Sequence, residues 1–145
     1  EAMANPRFRD HIPLMIGGSG EKKTIPLAVR HFDHLNVIAG FDELPAKLDV
    51  VKARCDDIGR DPATLETSML VTVMVDENAT ADLIPKEMAQ RMVVGSAEAI
   101  ADQLKAKVLD AGVDAVIMNL PTSMQGYQPG HITALGEALT PLVSD

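Results

Sequence analysis

Ile12-Pro13-Leu14-Met15-Ile16-Gly17-Gly18-Ser19-Gly20-Glu21-Lys22-Lys23 is the stretch on which the reading of this chain turns. A short apolar run stops at two glycines, and an amphipathic segment with Ile25, Ala28, Val29 and Phe32 at helical spacing follows. The run over 12–16 fits a buried parallel strand. The segment over 21–32 fits a helix, with Pro26 close enough to its first turn to be tolerated. Glycines between them let the backbone turn sharply and come close to a ligand. The free N–H groups and the dipole at a helix start favour an anion such as phosphate. Ser19 adds a hydroxyl, and Lys22 and Lys23 add positive charge. The spacing is neither that of a P-loop nor Gly-x-Gly-x-x-Gly. Gly17, Gly18, Ser19 and Gly20 are therefore the candidate phosphate-binding residues, against the plainer reading of a tight strand–helix turn.

Outward from this stretch the same alternation continues. Residues 33–38 read as a second strand, ended by Gly40. Asp42 is placed to cap a helix striped by Leu44, Leu48, Val51, Cys55 and Ile58, with Gly59 as its stop. Asp61-Pro62 marks a short helical turn. Residues 68–75 (SMLVTVMV) form a β-branched strand, and 76–94 are less regular, with a part compatible with a helix that Pro85 interrupts. Ser96 caps a helix with Ile100, Ala101, Leu104, Val108 and Ala111 on one face, ended by Gly112. Residues 113–118 form an apolar strand, 119–130 a loop, and Ile132, Leu135, Leu139 and Leu142 line a last helix. Four strand–helix units imply a parallel sheet with helices outside. They make a small open sheet or half of a (β/α)8 barrel, which takes about 250 residues in full; 1–145 reads as a single domain, a partial one on the barrel reading.

The bulk properties narrow the partners. With 3% aromatics, no Trp and a net charge of -8, the chain is a poor match for nucleic acid. One cysteine, Cys55, leaves no disulfide framework and no Cys-rich zinc site. No apolar run reaches membrane-spanning length, and no signal-peptide pattern opens the chain, so a cytoplasmic setting is expected.

The run IPLMIGGSGEKKTIPLAVRHFDHLNV resembles the strand, Gly-Gly-x-Gly-Glu-Lys loop, helix and Asp-x-x-Asn strand of luciferase-like monooxygenases. LDVVKARCDDIGRDPATLETS, VVGSAEAIADQLKAKVLDAGVDAVIMNLP and LGEALTPLV resemble later segments of that family, nearest its deazaflavin (coenzyme F-420) branch. The resemblance covers nearly everything after residue 11. It implies the C-terminal half of a (β/α)8 TIM barrel that serves a flavin- or deazaflavin-dependent oxidoreductase. Hydride transfer or oxygen activation would occur at the barrel mouth, with the phosphate of coenzyme F-420 or FMN on Gly17, Gly18, Ser19 and Gly20. Asn36, late in the second strand, is a further candidate cofactor contact, and Asn119 lies similarly at the end of the last strand. The partners implied are a small-molecule substrate and the missing N-terminal half, or else self-association. The chain alone is expected to be inactive, with catalytic residues lying largely in the absent half. Two other readings stand beside this one. One is a non-catalytic half-barrel; the other is a barrel enzyme that binds a phosphorylated metabolite.

Remaining candidates have plainer explanations. His31 and His34 flank Asp33, but one ends a helix and the other enters a strand, so no metal site is expected. Cys55 lies on an apolar stripe, and the eight methionines are scattered as core filling. Tyr127 and His131 flank the last loop and read as surface residues.

Overall fold

The structure is a computed structural model, and it describes residues 11–79, 82, 84–121 and 128–143. The opening segment before residue 11 and most of the 119–130 loop, with Tyr127, lie outside the described residues.

Among the described residues, five strands and five α-helices alternate along the chain. They are β1 (Met15–Gly17), α1 (Thr24–His31), β2 (His34–Val37), α2 (Leu44–Asp56), β3 (Glu66–Val75), α3 (Lys86–Ala89), β4 (Met92–Gly95), α4 (Ala97–Leu104), β5 (Ala115–Asn119) and α5 (Pro129–Val143). Every strand pairing is parallel: β1 with β2, β2 with β3, and β3 with both β4 and β5. Ser68 faces Asn36 of β2 and Ala115 of β5, so those two strands flank β3 on opposite edges. Thr72 faces Met92 of β4 and Asn119 of β5, so β4 sits on the β2 edge, beyond the end of β2. The sheet therefore runs β1, β2, β3, β5 in one direction without a reversal. A barrel winds in this way, whereas a doubly wound sheet switches direction.

Strand pleating puts alternate side chains on opposite faces. On the helix side lie Leu35, Val37, Met69, Val71 and Val73, all buried, packed against Ile25, Val29, Leu44, Ile100, Leu104 and Leu135. At about 1.5–3 kcal/mol per buried aliphatic side chain, this face carries the stability of the chain. The other face is open. Met15, Leu70 and Ile117 project from it with 56%, 45% and 36% of their surface exposed.

Local chemistry explains the element boundaries. Pro13 cannot donate to a ladder, and the first strand is only the three residues 15–17, with Ile12, Leu14 and Met15 exposed. The expected buried strand over 12–16 is thus a short edge strand in which only Ile16 meets the core. Asp42 does not cap α2. It lies in a 3-10 turn (Phe41–Glu43) that leads into the helix, and no side chain caps the α2 start. The stripe Leu44, Leu48, Val51, Cys55 is buried as its spacing requires, but Ile58 lies past the helix end and is exposed. The less regular stretch 76–94 holds the short helix α3, as its partly helical reading allowed, and most of β4, which that reading did not include. Ser96 does cap α4, since its hydroxyl accepts from the Ala99 amide at 3.2 Å. The helix widens into a π turn over Lys105–Leu109 before Gly112, at φ +100°, ends it. Asp61 accepts from the Ala63 amide at 3.0 Å, which fixes the turn at Pro62–Thr64.

Candidate functional site

Because all strands are parallel, one rim of the sheet collects their carboxyl ends. Gly17, Asn36 and Asn119 lie at or beside that rim, and the loop after Gly17 opens onto it. In open and closed parallel sheets alike, ligands bind at this rim.

One position of the loop demands glycine and a second is tight. Gly18 has φ +149°, and a Cβ there would lie 2.7 Å from Cγ2 of Thr24. A Cβ on Gly20 would lie 3.1 Å from the Thr24 hydroxyl. Gly17 is less constrained, with nothing nearer than 3.9 Å. Thr24, the first residue of α1, therefore fills the hollow of the loop, and the loop wraps around its side chain. Nothing in the sequence marks it for this part.

Hydrogen bonds divide the loop into a structural part and a free part. The Gly18 amide donates to the Asn36 carbonyl at 2.9 Å, so it is committed to joining the loop to β2. The Gly20 carbonyl accepts from Lys23 at 3.3 Å and from Ile25 at 3.0 Å, which starts the helix. Among the described residues, the amides of Ser19, Gly20, Glu21 and Lys22 meet no acceptor. These four consecutive donors lie in the turn that leads into α1, whose N-cap is Lys23, and a row of free amides there is the kind of group that an anion satisfies. Lys22 and Lys23 stand exposed beside them. Glu21 is paired with Lys47 of α2, Nζ to Oε1 2.6 Å. The hydrogen bond and charge of Lys47 hold the Glu21 carboxyl below its usual range, and the pair raises the Lys47 ammonium.

Asn36 is buried, and its carboxamide nitrogen donates to the Ser68 hydroxyl at 2.9 Å. Nε2 of His34 lies 2.7 Å from the same hydroxyl, and Nδ1 of His34 lies 3.8 Å from Glu66. These polar side chains share the open face of the sheet, and Ser68 is fully buried beneath them. The network ties β2 to β3 under the rim. Asn36 and His34 drew notice in the sequence, but nothing there marked Ser68 as the residue that joins them.

His31 and His34 do not meet at a site. His31 is exposed at the end of α1, whereas His34 belongs to the Ser68 network. Asn119 is exposed at the rim end of β5. His131 lines a separate hollow of about 540 Å³ with Asp76, Glu77, Ser96 and Glu98. Cys55 is buried, and burial pushes its thiol up, away from the reactive thiolate. The geometry thus offers anion capture at the loop and neutral polar contacts from Asn36 and Asn119. No helix among the described residues is long and apolar enough to cross a membrane.

Neither a protein-family profile nor a curated relative matches the chain. Its fold, however, is shared with solved enzymes. An F-420-dependent secondary alcohol dehydrogenase, in complex with an F-420–acetone adduct, superposes with a TM-score of 0.71 at 18% identity, over 94% of this chain and 50% of that one. The coenzyme F-420-dependent tetrahydromethanopterin reductase of Methanopyrus kandleri gives 0.69 at 12% identity, over 92% and 51%. The EDTA monooxygenase of Chelativorans sp. BNC1 gives 0.65 at 10% identity, over 88% and 43%. The chain spans about half the length of the structures it matches, and its fold is that of half a (β/α)8 barrel.

Proposed function

We propose that this chain is the C-terminal half of a luciferase-like barrel whose glycine loop holds the phosphate end of coenzyme F-420 or FMN. The observation that carries this reading is the row of unpaired amides at Ser19, Gly20, Glu21 and Lys22, at the carboxyl rim of a parallel half-barrel. Gly17 and Gly18 shape the approach, Ser19 adds its hydroxyl, and Asn36 lines the rim one strand away. In that reading the bound cofactor supplies hydride chemistry on a small-molecule substrate, with or without oxygen. This chain's residues bind its phosphate and set its position.

The same reading assigns a partner to the open face. Exposed Met15, Leu70 and Ile117, with β1 and β5 at the two ends of the strand order, fit closure by four further strand–helix units. The cofactor ring and the catalytic groups would lie largely on that other half. Self-association of two such chains is the alternative closure.

Fluorescence titration of the intact protein with FMN and with coenzyme F-420 tests the reading. Binding of either is expected, and Gly18→Asp is expected to weaken it at least tenfold by steric and charge conflict. An intact protein that binds neither, or a folded Gly18→Asp variant of unchanged affinity, removes the phosphate role.

A further inference from the structure

Glu21 poses a problem for any anion at this loop. Its carboxylate belongs to the same short segment as the four free amides, in a chain that is already acidic. An uncompensated negative charge there opposes a phosphate, because like charges a few ångströms apart repel even near water. The solution comes from a different element. Lys47, one turn into α2, reaches across to Glu21 with an N–O distance of 2.6 Å. Lys47 is only 23% exposed, so the ammonium is held in place by its packing as well as by the pair. Arg54, further along α2, adds positive potential at Glu21. The charge of Glu43 also raises the Lys47 ammonium. Lys22 and Lys23 have no ion-pair partner among the described residues, which leaves their charge to act outward.

We propose that Lys47 is a positioning residue of the anion site: by cancelling Glu21 at 2.6 Å, it makes an acidic loop receptive to a phosphate. The inference rests on the glycine loop being the phosphate site. It adds a residue outside the loop motif and assigns it the task of removing a repulsion.

The test is a set of titrations of the intact protein at low salt with FMN, and with riboflavin as the ligand lacking the phosphate. Lys47→Met is expected to weaken FMN binding about threefold to tenfold, and Glu21→Gln to strengthen it by a similar factor. The double variant is expected to return to within about twofold of the natural protein. Riboflavin affinity should move with none of these changes, and the FMN effects should shrink in molar salt. A purely structural ion pair makes both single variants bind more weakly, and that result overturns the proposal. So does a double variant as weak as Lys47→Met, which would mean that Lys47 grips the phosphate itself. If Lys47→Met does not fold, Glu21→Gln alone decides: tighter FMN binding supports the proposal and weaker binding overturns it. A natural protein that binds neither FMN nor coenzyme F-420 defeats the glycine-loop reading and this proposal together; one that binds only coenzyme F-420 takes the same variants through titration with that ligand, with the same expected changes. Binding that none of the substitutions alters defeats only this one.

Discussion

At the scale of single residues, Gly18 and Thr24 are locked together. A side chain at Gly18 faces two separate costs, an unfavourable φ of +149° and a 2.7 Å collision with the Thr24 methyl. Gly18→Ala is expected to lower unfolding free energy by about 1–3 kcal/mol in urea denaturation. Thr24→Ser removes the methyl and is expected to recover only the collision, leaving the backbone cost. Full recovery in the double variant would mean that φ carries no strain. The glycines themselves were legible in the sequence because no other residue suits such a turn. Thr24 was not, because an ordinary threonine at a helix start carries no mark of what wraps around it. Lys47 was hidden for a similar reason: it looks like any solvated helix lysine until α1 and α2 are packed side by side.

Elements were legible where period and punctuation agreed. The stripe Leu44, Leu48, Val51, Cys55 and the cap at Ser96 marked α2 and α4 almost in place. The strand β4 was missed because Met92-Val93-Val94 is too short for alternation to show and follows a Pro-interrupted stretch. Long-range staples are invisible to any local pattern, and Arg60 is the main one. Its guanidinium donates to the carbonyls of Val29 and Phe32 at the end of α1, both at 2.9 Å, and to the Thr64 carbonyl at 2.7 Å. Arg60→Ala is expected to cost about 1–3 kcal/mol in the same denaturation assay. Arg60→Lys should recover little, since an ammonium cannot reproduce the planar fork. A loss below about 0.5 kcal/mol would show that water replaces the staple at almost no cost.

The edge strand has its own control by pH. The Leu14 amide, at 2.8 Å, and His11 hold the Asp33 carboxyl below its ordinary value of 3.8. A depressed carboxylate favours the folded arrangement above its unfolded value and loses that contribution as pH falls through the folded one. Docking of the segment before β1 is therefore expected to persist at neutral pH and to weaken only below about pH 4. Hydrogen exchange of the Leu14 and Met15 amides measures this. Asp33→Asn should expose them at neutral pH and remove that part of the acid dependence. Native protection in the Asp33→Asn variant would rule the carboxylate out as the anchor.

At the scale of the whole molecule, the alternation of strands and helices was enough to imply a parallel sheet, since parallel strands need crossovers and crossovers need helices, but the half-barrel itself came from the family resemblance. Which face of the sheet lies open could not be read from composition. Leu70 and Ile117 look no different in an apolar run from Val71 and Val116, which pack into the core. The cost of changing them is expected to depend on what covers them. In the 145-residue chain, Leu70→Gln should cost under about 1 kcal/mol, whereas Leu35→Ala on the helix side should cost about 2–5 kcal/mol. With the complementary half present, the Leu70 variant should become markedly more damaging. Equal cost in both settings would mean that nothing closes over this face.

The proposed phosphate capture by the glycine loop is local enough to be tested directly. Backbone amide chemical shifts recorded during titration of the intact protein with FMN should move first and furthest at Ser19, Gly20, Glu21 and Lys22, with Gly18 held by its bond to Asn36. Saturable shifts confined to other regions, with these four amides unmoved, would contradict it.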